Sequence, residues 1–149
     1  MSDNYRKNCF KKILDASSVY DIAIKSPVQF APKLSSKLKN RIYIKREDLQ
    51  PVFSFKLRGA YNKISKIKNP NHIVAASAGN HAQGVALTCK KLKLDSTIVM
   101  PLTTPSIKIN AVKKHGTKII LHGDTYDEAY QYAIKYSRKH NFNFVHPYD

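Results

Sequence analysis

From residue 41 onward, short apolar runs alternate with longer stretches in which apolar residues recur every three or four positions. The short runs are of strand length, and the longer period is that of a helix with one buried stripe. Four strand–helix cycles can be read. The first joins a strand over 41–45 to a helix over 55–67, with Leu57, Ala60, Tyr61, Ile64 and Ile67 on one face and Ser54 as N-cap. The turn Asn69-Pro70-Asn71 precedes the second: a strand over 72–76, then a helix over 82–92 with Ala82, Val85, Ala86 and Cys89 on one side. The third runs from a strand over 97–100 into a helix that Pro105 opens after Thr104 and Gly116 closes. In the fourth, a strand over 118–121 leads to Thr125-Tyr126-Asp127-Glu128, a capping box that opens a helix to about Lys139. A strand over 142–145 ends the series.

Repetition of strand and helix predicts an α/β fold, a parallel sheet with crossover helices. Residues 1–40 are less periodic. There, 15–24 reads as a helix, while Ser26-Pro27 and Ala31-Pro32 break the chain. The sequence stops at His146-Pro147-Tyr148-Asp149, directly after a strand and before any crossover that would use it, which reads as an interruption.

A chain of 149 residues can bury one sizeable core or two small lobes. Its 42% hydrophobic and 24% charged residues predict folding even though the mean hydropathy of −0.43 leans polar. The net charge of +16 raises nucleic acid as a partner, but the basic residues are spread along the chain. Lysines outnumber arginines twenty-one to five, the reverse of a surface that reads phosphate through guanidinium forks. A noncatalytic basic α/β module that binds nucleic acid is the alternative from another class, and the distribution argues against it. Cys9 and Cys89 lie far apart with no CxxC or Cys/His spacing, so neither a metal site nor a disulfide framework is expected. With no apolar leader after Met1 and no run of about 18 apolar residues, the expectation is a soluble, cytoplasmic protein with no membrane partner.

Two segments carry the candidate chemistry. Lys56 stands where a helix begins, between Phe55 and Leu57 and close to Gly59-Ala60. Among twenty-one lysines it can be an ordinary surface charge. Amides at a helix start and partial desolvation favour the neutral amine, however, which makes it a candidate nucleophile for a Schiff base. The second segment is Ser77-Ala78-Gly79-Asn80-His81-Ala82-Gln83-Gly84, a strand–turn–helix with small residues at the turn. It can be a common Gly-Asn turn, and no GxGxxG is present. Its helix-start amides can also hold an anion such as a carboxylate, with Asn80 directed at a cofactor oxygen. The cluster Lys45-Arg46-Glu47-Asp48 reads as a functional strand-end group or a solvated loop, the loop being favoured for a charge run. His72, His115, His122, His140 and His146 show no metal or triad spacing; His81 differs by its location.

The run from Lys45 to Asn62, followed by Ser77 to Gly84, resembles the fold-type II pyridoxal-phosphate enzymes, and among them the threonine dehydratases. Val19-Tyr20-Asp21, Ser26-Pro27, Val99-Met100-Pro101, Leu121-His122-Gly123 and Pro147-Tyr148-Asp149 fall in matching order. The resemblance spans nearly the whole chain and is closer to the biosynthetic enzymes than to catabolic serine/threonine dehydratases or serine racemase, which are the alternatives within the class.

It implies that Lys56 holds pyridoxal 5'-phosphate covalently and that Asn80 hydrogen-bonds the 3'-oxygen of the pyridine. The amides of Ser77, Ala78, Gly79, Asn80 and His81 would receive the substrate carboxylate. L-threonine would displace Lys56, whose amine would remove the α-proton while the cofactor stores the electrons, giving 2-oxobutanoate and ammonia, the first step toward isoleucine. The resemblance also implies three divisions: 1–47 as the amino-terminal part of a large lobe, 48–145 as a small α/β lobe with both segments, and 146–149 as the start of the return. A homo-oligomer, a tetramer in the family, is expected. The family's glycine-rich phosphate loop, the residue facing the pyridine nitrogen and the regulatory domain for isoleucine lie further along. The chain is therefore expected to be a fragment that does not deaminate threonine alone.

Overall fold

The computed structural model describes residues 3–148. Its elements follow one another as α1 (Asp3–Leu14), β1 (Val28–Phe30), α2 (Pro32–Leu38), β2 (Tyr43–Lys45), a single 3₁₀ turn (Glu47–Leu49), α3 (Lys56–Ile64), β3 (Ile73–Ala76), α4 (Asn80–Leu92), β4 (Ser96–Met100), α5 (Ser106–Lys113), β5 (Lys118–Leu121), α6 (Tyr126–Lys139) and β6 (Asn143–Phe144). Four strands form a parallel sheet in the order β5-β4-β3-β6, with Val74 beside both Thr97 and Phe144 and Ile98 beside Ile119.

Side chains alternate across a strand, so β3 and β4 each feed two layers. Ile73, Ala75, Ile98 and Met100 join the apolar stripes of α3, α4 and α5, in particular Ala60, Ile64, Ala82, Val85, Ala86, Cys89 and Val112. Val74, Ala76 and Val99 face α6 through Ala129 and Ala133. Burying a side chain such as Ile98 completely stabilises the fold by about 2–3 kcal/mol. The α6 start matches its expected box: Thr125 accepts from the Glu128 N–H and the Glu128 carboxylate accepts from the Thr125 N–H at 3.0 Å.

Four expectations fail. The strand near 41–45 does not enter the parallel sheet; β2 pairs antiparallel with β1, which was read only as chain between two prolines. Ala31-Pro32 does not break structure, because Pro32 occupies the first position of α2, where its fixed φ and missing N–H suit a helix. No helix forms over 15–24, whereas α1 lies upstream. The helix of the first cycle begins at Lys56, with Phe55 at the cap position and the Lys56 N–H donating to Ser54 Oγ at 3.2 Å. Among the described residues no helix is long and apolar enough to cross a membrane.

Candidate active site

The sheet order reverses at β3. Through α4 the chain reaches β4 on one side, and through α6 it returns to β6 on the other. The crevice outside the carboxyl ends of two such strands is where open α/β sheets bind ligands. Here it receives the turn after β3, the segment after β6 and the first residue of α3. Two adjoining cavities of about 260 and 270 Å³ share Phe55, Lys56, His81, Pro147 and Tyr148 in their walls.

Half-buried Lys56 projects into this space. Its Nζ donates to the Pro147 carbonyl at 2.8 Å and lies 5.3 Å from the Tyr148 ring centre and 5.8 Å from that of Phe55. That carbonyl is neutral, so another electron-rich partner can displace it more readily than a paired carboxylate. Directly below, Leu57 is fully buried against Ala23 and Val52, which fixes the first turn of α3.

A second anchor lies on the adjacent face. Arg58 grips Glu47 with Nε at 2.7 Å and a second nitrogen at 2.9 Å, and also donates to the Ile24 carbonyl at 3.0 Å. Ser26 donates to the same carboxylate, and buried Gln50 clasps the Ile24 main chain at 2.9 and 3.0 Å. Chiefly because Arg58 is hydrogen-bonded to it, the Glu47 carboxyl is lowered to about 2. Lys45 donates to the Ser26 carbonyl, while Arg46 pairs with Asp48 at 2.7 Å. The solvated-loop reading of 45–48 fails at Glu47, whose side chain is only 16% exposed and ties the 3₁₀ turn to the lysine helix, while Lys45 and Asp48 are exposed.

Ser77 continues the sheet by donating its N–H to the Val99 carbonyl at 3.1 Å, and its Oγ accepts from the Gly79 N–H at 3.1 Å. Gly79 occupies the N-cap position of α4, which has no side-chain cap. The open N–H groups there favour an anion. Lys56, Ser77, Asn80 and His81 line one cavity together. Ala78 and Gly79 are half-buried residues of the turn between them, available through their main chain. The imidazole of His81 is buried, with Nε2 3.3 Å from the Val145 carbonyl, so its side chain braces α4 against the segment after β6.

Sequence reasoning missed Phe55, Tyr126, Pro147 and Tyr148 as walls of the cavity. Phe55 adjoins Lys56 in sequence, whereas Tyr126, Pro147 and Tyr148 lie far from both motifs and meet them only in the fold. Cys89 is unavailable for chemistry, since burial pushes its thiol up to about 12.

A lysine amine at the switch point, facing an uncapped helix start, defines a site for an anionic, carbonyl-bearing ligand. Residues 19–149 match the family described as pyridoxal-phosphate dependent enzyme, and the chain belongs to it. The threonine dehydratase of Nicotiana attenuata is 56% identical over 137 residues, covering 90% of this chain and 23% of its own length. A biosynthetic L-threonine dehydratase of Burkholderia multivorans is 47% identical over 145 residues, 93% of this chain and 28% of its own. The processed form of threonine deaminase isoform 2 from Solanum lycopersicum superposes with a TM-score of 0.89 at 47% identity, over 99% of this chain and 41% of that one. The chain spans about a quarter of the length of these two dehydratases. The architecture is accordingly that of the fold-type II pyridoxal-phosphate enzymes.

The residues present fit this cofactor. Its aldehyde requires a primary amine, and Lys56 offers one whose hydrogen bond is to a main-chain carbonyl.

Proposed function

We propose that this chain carries the lysine-bearing part of an L-threonine dehydratase, a lyase that converts L-threonine to 2-oxobutanoate and ammonia. One observation carries the site: Lys56 Nζ and the uncapped start of α4 open onto the same cavity. The substrate class comes from the relatives, which are named threonine dehydratases at about half identity.

Pyridoxal 5'-phosphate, when bound, supplies an electron sink for the charge that develops on the carbon next to the amino group. Lys56 is its attachment point. Once freed by the incoming amino acid, the Lys56 amine takes the α-proton as general base. The N–H groups over 77–81 hold the substrate carboxylate, which fixes the α-carbon toward Lys56. The amide side chain of Asn80, in the wall of the same cavity, would help hold the cofactor ring by hydrogen bonding. Loss of the β-hydroxyl as water, followed by hydrolysis at the amino carbon, balances the conversion.

In this reading, 1–47 belongs to a large lobe, 48–145 forms the small lobe and 146–149 begins the return. The separation of the β1–β2 pair from the parallel sheet supports that boundary. The working form is a cytoplasmic homo-oligomer acting in isoleucine biosynthesis, a role supported by the word biosynthetic in relatives' names. Threonine-dependent formation of 2-oxobutanoate by the gene's complete product tests the reaction. Lys56→Ala is expected to reduce it at least about 10³-fold, and activity unchanged by that substitution contradicts the reading.

A further inference from the structure

We infer that Gly84, inside α4, is a positioning residue that sets the separation between Lys56 and the 77–81 turn. The inference rests on the reading of Lys56 as the cofactor-bearing lysine.

Glycine within a helix costs stability relative to alanine, so an interior position that holds one invites a packing reason. At Gly84 the reason is close contact with one particular peptide. A Cβ built there would lie 3.2 Å from the Lys56 carbonyl oxygen, 3.3 Å from the Lys56 carbonyl carbon and 3.3 Å from the Leu57 nitrogen. These are main-chain atoms in the first turn of α3, and they cannot swing aside as the end of a side chain can. The Lys56 main chain must move by a few tenths of an ångström or α4 must tilt. Either shift changes the distance from Lys56 to the turn, because Gly84 stands four residues beyond Asn80 on the same rigid helix. The other neighbours of that peptide resist relaxation: Leu57 is locked in its cluster, and Arg58 is held by Glu47. A small misplacement of a reacting group can reduce rate far more than it reduces stability.

The test compares Gly84→Ala with Val85→Ala in the gene's complete product. Val85 is fully buried at the same helix contact but belongs to the cluster with Ile73 and Ile98. Each protein is incubated with limiting pyridoxal phosphate, reduced with borohydride and mapped by peptide mass, while thermal unfolding is followed by circular dichroism. Gly84→Ala is expected to keep a cooperative transition and to lower the share of label on Lys56 about tenfold, with a matching loss of the bound-cofactor absorbance. Val85→Ala is expected to lower the melting temperature while Lys56 labelling stays at the wild-type level. Wild-type labelling at Lys56 that Gly84→Ala leaves unchanged overturns the inference. So does a Gly84→Ala chain that fails to fold, which would assign the glycine to packing alone. Absence of Lys56 labelling in the wild type refutes the underlying reading instead, so the two failures are distinct.

Discussion

All nine residues of β3 and β4 are buried, whereas all six residues of β1 and β2 are exposed, although both regions contain β-branched side chains. The difference lies in what crosses the strands. Parallel strands require crossover connections, and here α3, α4 and α5 cover one face while α6 covers the other. The antiparallel pair has only α2 between its strands, leaving Val28, Phe30, Tyr43 and Ile44 at the surface. The buried region carries the candidate chemistry at its carboxyl ends. The exposed region has the larger hollow, a groove of about 470 Å³, but its Arg46 and Asp48 neutralise one another. Size therefore does not mark the site; an available amine and an uncapped helix do.

The contrast can be broken most sharply by burying a charge. Val74→Asp places a carboxylate between the sheet and α6, where it is expected to cost more than about 4 kcal/mol and prevent cooperative folding. Val28→Asp is expected to change stability by less than about 1 kcal/mol. Urea unfolding of the two variants measures the gap. Next in size, Ile98→Ala leaves a hole in the first layer and should cost about 3 kcal/mol, while Ile44→Ala should cost less than about 1 kcal/mol in the same assay.

A third test addresses the joint between the regions. The folded Glu47 carboxyl is lowered to about 2, below its value in the unfolded chain. The unfolded state therefore binds a proton first as pH falls. The resulting stabilisation, about 2 kcal/mol after allowance for partial exposure, is complete above pH ~4.5 and lost as pH drops toward 2. Glu47→Gln is expected to lessen the fall of the urea midpoints across that window, where Asp48 and Glu128 also contribute, and to leave their slope above it unchanged. The smallest effect expected is that of Thr125→Ala, which removes the α6 cap and should lower stability by about 1 kcal/mol in a urea titration.

The same contrast explains what was legible in the sequence. Strands buried on both faces show as short apolar runs, so 72–76 and 97–100 were found nearly to the residue. Thr125 and Glu128 announced α6 because their hydrogen bonds are local and need no tertiary partner. The β1–β2 pairing was hidden, since three-residue exposed strands leave little periodicity and their register depends on residues about fifteen apart. In α1, the exposed Tyr5, Phe10, Ile13 and Leu14 make no buried stripe from which a core could be inferred. For the site, Lys56 and the 77–81 turn stood out by chemistry and motif. The role of Glu47 could not, because its partners Ser26 and Arg58 are distant in sequence and meet only when the chain folds.

Lys56 is the center of the account, and its covalent capture is the most direct test. The gene's complete product is incubated with pyridoxal phosphate, reduced with borohydride, digested and mapped by mass. The expected result is a pyridoxyl group concentrated on Lys56 and lost in Lys56→Ala. A label concentrated on any other lysine, with Lys56 unmodified, would contradict the account.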